Sequence, residues 1–521
     1  MKFLPVDVSS FRTIIEGNYV YVDKTKYIYD LYNKGERFYF LSRPRRFGKT
    51  LLISTLQELF SGNKKLFKEL WIETSDWQWK QHPVVHIDFS RIAHNTPERL
   101  EQSLCNNLDK IAKNYGFKLE EELLEDKLVT LITTLSKKNG VVVLVDEYDY
   151  PILKHLDAPE KAYANREIIR NFYSTLKSLD EYLRAIFITG VSKFAKTSIF
   201  SGMNNLNDIS TDAMTSQLLG YTRKELQEFF SEYFEKLAQS EQMTLTALQK
   251  KIQQWYNGYR FSPLSEIRVY NPFSIGYVLK KEFFKNYWFE SGTPSFLVTL
   301  LKKQAYELQD LKTLEFDIES IGTFEIDDIP LFPLLFQTGY VTIASYDPQT
   351  KRFTLDYPNE EVRISFAKYL TTMLSYTRQS QTVTALSQMV RALNGNDVDQ
   401  FCEALQSLFA NIPYNLHIEQ EKYFHSLLQF LGTLLNVEIQ SEVVTDKGRI
   451  DLVITTKTHV YLFELKFKAT PQTALAQIKR NKYYERFIIK RKKMVLIGLS
   501  FGYVKKKLNI RWKVEPLAKT K

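Results

Sequence analysis

Cysteine is rare in this chain, since only Cys105 and Cys402 occur among its 521 residues. Two cysteines so far apart in the sequence exclude a disulfide framework and a cysteine-rich zinc site. Such sparing use of cysteine fits the reducing interior of a cell, where disulfides do not persist. We therefore predict a cytoplasmic protein.

Long apolar segments are missing as well. No run of about 18 uncharged apolar residues occurs, so we predict no transmembrane helix and no membrane partner. The first residues, MKFLPVDVSSFRTIIEG, contain neither the apolar core nor the small-residue cleavage site of a signal peptide. Repeats and Pro/Gly-rich linkers are also lacking, so domain boundaries must be inferred from changes of pattern.

The net charge of +10 is concentrated at one end of the chain. Residues 441–521 contain 20 Lys and Arg but only six Asp and Glu, whereas the other 440 residues carry four more acidic than basic side chains. Positive charge gathered on one segment is typical of a protein that binds a polyanion. We predict contact with nucleic acid, with DNA as the expected partner; a solvated basic tail is the alternative.

Strand-like and helix-like runs alternate through the first part of the chain. The β-branched run VVVLV at 141–145 is typical of a strand that is buried on both faces. This alternation predicts an α/β fold with a P-loop-type, doubly wound parallel sheet. A mainly helical middle region follows, and a smaller α/β segment ends the chain. The predicted segments are 1–215, 216–415 and 416–521.

A candidate phosphate-binding loop, RPRRFGKT, occupies residues 43–50 between a predicted strand and a predicted helix. At such a junction, backbone N–H groups around Gly48 would hold phosphate oxygens, Lys49 would face the β- and γ-phosphates, and Thr50 would ligate Mg²⁺. The usual pattern has glycine where Arg43 stands. The loop predicts ATP and Mg²⁺ as ligands.

The run at 141–145 ends in two acids. Asp146 would hold Mg²⁺ through water, and Glu147 would polarise the attacking water; a solvated acidic turn is the alternative. After the next predicted strand, Thr189 or Ser192 could sense the γ-phosphate or simply form a turn. Hydrolysis often needs an arginine from a neighbouring copy, so a homo-oligomer stays open, and no arginine of the loop can be assigned that role.

A second candidate site lies within residues 448–468, GRIDLVITTKTHVYLFELKFK. If residues 457–458 form the turn of a hairpin, Asp451 lies directly opposite Glu464, and Lys466 projects from the same face. Two adjacent carboxylates favour a divalent cation such as Mg²⁺, which lowers the pKa of a bound water while Lys466 orients it. A surface hairpin with salt-bridged side chains is the alternative.

Further candidates flank this hairpin. Glu421, on a preceding amphipathic helix, is either a third carboxylate or a solvated acid. His425 fits a packed helix position better than a ligand position. Gln477 and Tyr483 follow the hairpin among basic residues and could contact a nucleic-acid backbone.

The two constellations together resemble a bacterial and archaeal family with an AAA-ATPase-like N-terminal domain and a C-terminal PD-(D/E)xK nuclease domain. The matching segments are YVDKTKYIYDL (21–31), FLSRPRRFGKTLLISTL (40–56), VLVDEYDYPIL (143–153), ITGVSKFAKTSIFSGMNNLNDIS (188–210), WYNGYRF (255–261), YNPFSI (270–275), WFESGTPSFL (288–297), GRIDLVI (448–454) and FELKF (463–467). The resemblance implies two sets of functional residues. They are Gly48, Lys49, Thr50 and Asp146 for ATP, and Asp451, Glu464 and Lys466 for the nuclease motif.

The sequence therefore predicts an ATP-binding, ATP-hydrolysing protein with a Mg²⁺-dependent nuclease domain, in which the nucleotide state controls cleavage. Two alternatives remain. One is a nucleotide-switched signalling or scaffold protein whose C-terminal domain binds nucleic acid without cutting it. The other is a motor or remodelling ATPase that acts on protein.

Overall fold

The fold was analysed in a computed structural model of the whole chain. The structure describes all residues except 34, 195–198, 201–202, 204, 291–310, 312–313, 323–328, 413–419, 436, 446–447, 491 and 518–521. The chain forms two compact units. The first contains Met1–Thr299 and Lys312–Val362, and the second contains Leu300–Leu311 and Arg363–Lys521. The division at 215 and 415 stays a prediction.

A five-stranded parallel sheet lies at the centre of the first unit. Its strands are β1 (Phe38–Ser42), β2 (Val84–Asp88), β3 (Val141–Asp146), β4 (Leu183–Gly190) and β5 (Asn207–Asp208). Their order is β2-β3-β4-β1-β5, and every neighbouring pair is parallel. The predicted parallel sheet is confirmed, and only β4 separates the strand before the phosphate-binding loop from the strand that ends in two acids.

Helices connect strands β1 to β4, as parallel pairing requires, and two further helices precede β1. They are α1 (Phe11–Glu16), α2 (Thr25–Tyr32), α3 (Lys49–Phe60), α4 (Pro97–Asn114), α5 (Leu124–Leu135), α6 (Tyr150–Leu153) and α7 (Pro159–Ser178). Leu52 of α3 belongs to one apolar cluster with Val142 and Leu144 of β3. Because side chains alternate along a strand, Asp146 projects toward the face that α3 covers.

The rest of the first unit is mainly helical, as predicted. Its helices are α8 (Arg223–Phe229), α9 (Ser231–Ser240), α10 (Leu245–Tyr256), α11 (Pro272–Lys281), α12 (Tyr287–Glu290) and α13 (Leu331–Thr338). Local signals start two of them: Thr222 and Glu225 form a capping box at α8, and Asn271 caps α11 ahead of Pro272. A small sheet has the order β6-β8-β7, with β6 (Glu315–Phe316), β7 (Thr342–Asp347) and β8 (Arg352–Asp356).

The second unit contains a mixed sheet in the order β13-β12-β11-β10-β9. Its strands are β9 (Glu438–Thr445), β10 (Gly448–Thr455), β11 (His459–Phe467), β12 (Lys493–Val504) and β13 (Lys507–Pro516). The helices from here on are α14 (Glu360–Leu374), α15 (Gln379–Gly395), α16 (Val398–Phe409), α17 (Gln420–Leu434) and α18 (Pro471–Arg480). Only β11 and β12 pair in parallel, and α18 lies in the crossover that this pairing needs.

Apolar packing stabilises each unit separately. Cys105 and Cys402 are buried and form no disulfide. In the second unit, Ile450, Leu462 and Ile478 belong to one core cluster that joins β10, β11 and α18. Among the described helices, none combines the length and the apolar character needed to span a lipid bilayer.

Candidate active sites

The phosphate-binding loop joins β1 to α3 and ends in a left-handed residue. Gly48, directly before α3, has a φ of 94°, which glycine adopts without steric cost. Arg46 also has a positive φ, 64°. The helix begins at Lys49 and Thr50, so its unpaired N–H groups and the positive end of its dipole face the loop. This geometry suits an anion.

Arg43, at the position of a glycine in the usual motif, turns away from the cleft. Its buried guanidinium donates to the carbonyls of Ser42 (2.9 Å), Ser210 (2.6 Å) and Thr215 (3.3 Å). Its Cζ lies 4.2 Å from the centre of the Phe261 ring. Burial lowers the pKa of Arg43 to about 9, so it stays charged at neutral pH. Arg43 therefore anchors the loop to the segment after β5.

Lys49 stabilises the phosphate-binding loop through two hydrogen bonds. Its buried Nζ donates to the carbonyls of Arg43 and Pro44, both at 3.0 Å. Burial lowers the pKa of Lys49, and the carboxylates of Glu147 and Asp146 raise it. The lysine thus lies within electrostatic reach of the two acids at the end of β3.

An open cleft of about 460 Å³ lies in front of the loop. Its lining includes the predicted residues of this site except Asp146, together with several others: Arg45, Arg46, Gly48, Lys49, Thr50, Glu147, Asp7, Ser90, Tyr150 and Phe273. The Arg46 guanidinium stacks 4.8 Å from the centre of the Phe273 ring. Within the described residues, neither Arg45 nor Arg46 forms an ion pair. The cleft is thus lined by three basic side chains, those of Arg45, Arg46 and Lys49, and by two acidic ones, those of Asp7 and Glu147. This excess of positive charge suits a polyphosphate.

A narrower apolar cavity of about 60 Å³ adjoins the cleft. It shares Gly48, Leu51 and Tyr221 with the cleft. Its other lining residues are mainly apolar and include Val20, Tyr21, Val22, Phe47, Leu52, Leu218 and Leu219. An apolar pocket next to a phosphate site suits a planar base.

The two acids at the end of β3, Asp146 and Glu147, have different surroundings. Asp146 is buried, and its Oδ1 accepts a 2.6 Å hydrogen bond from the Thr189 hydroxyl. Glu147 has a φ of 52° and lines the cleft beside Lys49. Burial raises the pKa of Glu147, whereas Lys49 lowers it. A carboxylate with a raised pKa in a cleft is a candidate proton acceptor.

Asp149 organises the end of β4, a role that the sequence did not suggest. Its carboxylate accepts from the N–H groups of Val191 (3.1 Å) and Ser192 (2.7 Å) and from the Ser192 hydroxyl (2.6 Å). Ser192 therefore serves the turn, whereas Thr189 contacts Asp146. The sequence signal for this role was a third acidic residue, Asp149, three positions after Asp146.

The second candidate site lies on the hairpin of β10 and β11. Leu452 pairs with Phe463 and Thr455 with Val460, which is the predicted register. The turn at 457–458 is closed by a 2.9 Å hydrogen bond from the Thr456 N–H to the His459 carbonyl. The next opposed positions outward are Asp451 and Glu464.

The three predicted residues of this hairpin come together. The Asp451 Oδ2 accepts a 2.6 Å hydrogen bond from the Leu465 N–H. Glu464 is fully buried, and its Oε1 lies 3.1 Å from the Lys466 Nζ. The site thus combines two carboxylates with one lysine on the same strand pair.

His425 brings helix α17 to the same site. Its Nε2 lies 3.5 Å from the Asp451 Oδ1. The predicted packed position of His425 agrees with the 10% exposure of its side chain, but its contact with Asp451 was not predicted. Glu421 lies four residues earlier in α17, and its side chain is outside the described residues. The sequence signal that pointed to His425 was its position one helical turn after Glu421.

The two flanking candidates differ in exposure. Tyr483 is only 2% exposed, and its hydroxyl accepts a 2.7 Å hydrogen bond from the Asn481 amide. It packs so closely on Gly448 that a Cβ there would lie 2.6 Å from the hydroxyl. This packing leaves little of the Tyr483 side chain exposed, and its contact with a nucleic-acid backbone stays a prediction. Gln477 is half-buried on α18.

The donor set of the hairpin fits a hard cation. Within the described residues, no group of three or more His, Cys, Asp and Glu side chains is placed to hold a metal. Asp451 and Glu464 nevertheless occupy opposed positions of the hairpin. Mg²⁺ commonly uses one or two protein carboxylates and keeps several waters, so two carboxylates suffice for it.

Comparison with known proteins assigns both ends of the chain. Residues 5–200 match the AAA-ATPase-like family model, described as a predicted AAA-ATPase. Residues 419–512 match the PD-(D/E)XK nuclease superfamily. Each matched segment contains one candidate site: the first contains the phosphate-binding loop, and the second contains the hairpin of β10 and β11.

Two further likenesses differ in weight. An uncharacterized protein in the vnfD 5′ region of Azotobacter chroococcum mcd 1 is 36% identical over 515 residues, and the match covers 96% of this chain and 96% of that protein. The crystal structure of Cdc6p from Pyrobaculum aerophilum covers 67% of this chain and 92% of its own, with 12% identity and a TM-score of 0.26, which is too low to support an argument. By its matches at both ends and its near full-length relative, the chain belongs to the family that joins a predicted AAA-ATPase domain to a PD-(D/E)XK nuclease superfamily domain.

Proposed function

We propose that this protein binds and hydrolyses ATP in its first unit and cleaves nucleic acid, DNA above all, in its second. The observation that carries the proposal is the meeting of Asp451, Glu464 and Lys466 on one hairpin, in a chain that also has a P-loop cleft. Both active sites use Mg²⁺ in this proposal.

In the first unit, the polyphosphate would lie across the N-terminus of α3. Thr50 and Asp146 would hold Mg²⁺, since a hydroxyl and a carboxylate are the oxygen ligands that this ion prefers. Glu147 would accept a proton from the attacking water, a role that its raised pKa supports. The apolar cavity beside Gly48 would take the adenine ring. When bound, Mg²⁺ offsets charge on the phosphates.

In the second unit, Asp451 and Glu464 would hold Mg²⁺. When bound, this ion lowers the pKa of a water molecule and offsets charge on the phosphate that is attacked. Lys466, whose Nζ is 3.1 Å from Glu464, would orient that water. His425 would keep the Asp451 carboxylate in position, as the partners of metal ligands commonly do.

The nucleotide state would control cleavage. This part of the proposal is supported by the presence of both sites in one chain. Saturating ATP should change either the affinity for DNA or the cleavage rate, and control by ATP is wrong if neither changes.

The decisive experiment incubates the purified protein with Mg²⁺ and labelled single- and double-stranded DNA, with and without ATP. Glu464→Gln is compared with Glu515→Gln, which changes a carboxylate on β13 that pairs with Lys479. Cleavage that Glu464→Gln loses and Glu515→Gln keeps supports the nuclease.

Two other outcomes favour the alternatives. ATP turnover without cleavage under any condition would favour a nucleotide-switched protein that binds nucleic acid. ATP turnover that DNA does not stimulate, with no DNA binding, would favour an ATPase that acts on protein. Lys49→Ala should abolish nucleotide binding in every case.

A further inference from the structure

The segment that precedes α1 forms one wall of the nucleotide cleft. Residues 5–9, PVDVS, all line the cleft of about 460 Å³, and Pro5 also lines the apolar cavity beside it. The segment therefore extends from the boundary of the two cavities into the cleft. In a bound ATP the ribose would lie at that boundary, because it joins the base to the phosphates.

Contacts with neighbouring elements hold this segment in place. Just before it, the Phe3 N–H donates to the Asn18 carbonyl at 3.0 Å, and the Phe3 carbonyl accepts from the Val20 N–H at 2.8 Å. Within it, Val6 packs so closely on α11 that a Cβ at Gly276 would lie 3.1 Å from a methyl carbon of Val6. The course of the segment along the cleft is therefore set by the fold.

Asp7 brings a carboxylate into the cleft from this segment. Its Oδ2 accepts a 2.6 Å hydrogen bond from the hydroxyl of Tyr277 on α11. This hydrogen bond raises the pKa of Tyr277, so the hydroxyl stays protonated and donates at neutral pH. Within the described residues, Asp7 forms no ion pair and accepts no other hydrogen bond. Its Oδ1 is therefore available to a ligand in the cleft.

The chemistry of a carboxylate limits what Asp7 can contact in a nucleotide. An ionised carboxylate accepts hydrogen bonds and donates none, and it is repelled by phosphates, which carry charge of the same sign. The donors of ATP are the ribose hydroxyls and the amino group of the base. Asp7 is not among the described residues that line the apolar cavity proposed for the base. The ribose hydroxyls are therefore the donors that suit Asp7, as in other folds where an acid binds them.

We propose that Asp7 accepts hydrogen bonds from the ribose hydroxyls of the bound nucleotide, and that Tyr277 positions the Asp7 carboxylate for this contact. Asp7 thereby distinguishes ATP from nucleotides that lack these hydroxyls. The inference rests on the proposed binding of ATP and adds the part of the nucleotide that the cleft recognises besides the base and the phosphates.

The test compares ATP with 2′,3′-dideoxy-ATP, which has the same base and phosphates but neither ribose hydroxyl. Both dissociation constants are measured by isothermal titration calorimetry with the full-length protein, once with Mg²⁺ and once in EDTA. Because the two nucleotides carry the same charge, the ratio of their dissociation constants cancels the repulsion between Asp7 and the phosphates. The series in EDTA removes any contribution of Asp7 to metal binding.

Two variants and a matched control are compared with the wild type. Asp7→Gly removes the carboxylate, and glycine adopts the φ of 64° at this position without strain. Tyr277→Phe keeps the ring and removes the hydroxyl. The control is Glu69→Gly, because Glu69 is also an exposed acid with a positive φ, 67°, and is not one of the described residues around the cleft. Thermal unfolding of each variant is followed in parallel.

The wild type should bind ATP about tenfold or more tightly than dideoxy-ATP, as expected for hydrogen bonds to a charged acceptor. Asp7→Gly should bring the two affinities close to each other by weakening ATP but not dideoxy-ATP. Tyr277→Phe should give an intermediate ratio, because the carboxylate is held less firmly, and Glu69→Gly should keep the wild-type ratio.

Three results would overturn the inference in different ways. Equal affinities in the wild type, or a ratio that Asp7→Gly leaves unchanged, would exclude the ribose contact while ATP binding stands. A wild-type ratio in Tyr277→Phe would exclude the positioning role of Tyr277. No binding of ATP by the wild type in either series would overturn the proposed nucleotide site together with this inference.

Discussion

Replacing Arg43 with glycine, the residue of the usual P-loop motif, should weaken the first unit rather than improve nucleotide binding. The change removes three hydrogen bonds to carbonyls, those of Ser42, Ser210 and Thr215. A hydrogen bond from a charged group contributes roughly 1.5–3 kcal/mol, but removing the side chain also relieves the cost of burying a guanidinium, which is several kcal/mol. We expect a net loss of about 3 kcal/mol.

For a unit of about 350 residues, an unfolding entropy of roughly 2.1 cal/mol/K per residue makes 1 kcal/mol correspond to about 1.4 °C in Tm. Arg43→Gly should therefore lower the unfolding temperature of the first unit by about 4 °C, measured by calorimetry, and weaken binding of a fluorescent ATP analogue. Arg46→Gly is the matched control for stability alone, because Arg46 lines the cleft. It is exposed and has a positive φ, so glycine there should leave stability unchanged or slightly higher. The reasoning fails if Arg43→Gly unfolds at the wild-type temperature and binds ATP at least as tightly.

Other substitutions test single side chains. Glu147→Gln should stop ATP hydrolysis and keep ATP binding. The pKa of Glu147 is raised in the folded state, so the ionisation of Glu147 opposes folding as the pH rises through that pKa. The variant should therefore be more stable than the wild type at neutral pH but not in acid. Arg45 lowers the pKa of Glu147, so Arg45→Gln should move the acid limb of the ATPase pH profile to higher pH, and an unmoved limb would contradict the role of Glu147 as proton acceptor. Trp288→Phe loses the 3.0 Å hydrogen bond from the indole to the Arg45 carbonyl and should raise KM for ATP with little change in kcat. His425→Ala should raise the Mg²⁺ concentration that half-saturates cleavage by about tenfold; an unchanged Mg²⁺ requirement would separate His425 from the metal site.

Local patterns were sufficient to predict the regular elements and the hairpin. The β-branched run at 141–145 forms β3, because burial on both faces selects such residues. The opposition of Asp451 and Glu464 could be predicted because a two-residue turn determines the register of the strands that it joins. These properties depend on residues that are close together in the sequence.

The directions of individual side chains depended on tertiary packing. An arginine at the glycine position of the loop could enter the cleft or leave it, and the carbonyls that draw Arg43 inward belong to Ser210 and Thr215, 167 and 172 residues away. The contact of His425 with Asp451 likewise requires α17 to pack on the sheet of the second unit. The sequence by itself therefore determined which elements form and the register of the hairpin, because those properties are encoded over a few residues. The tertiary structure decided that Arg43 is buried while Arg45 and Arg46 line the cleft. The physical reason is that the carbonyls that accept hydrogen bonds from Arg43 come from a segment far away in the sequence.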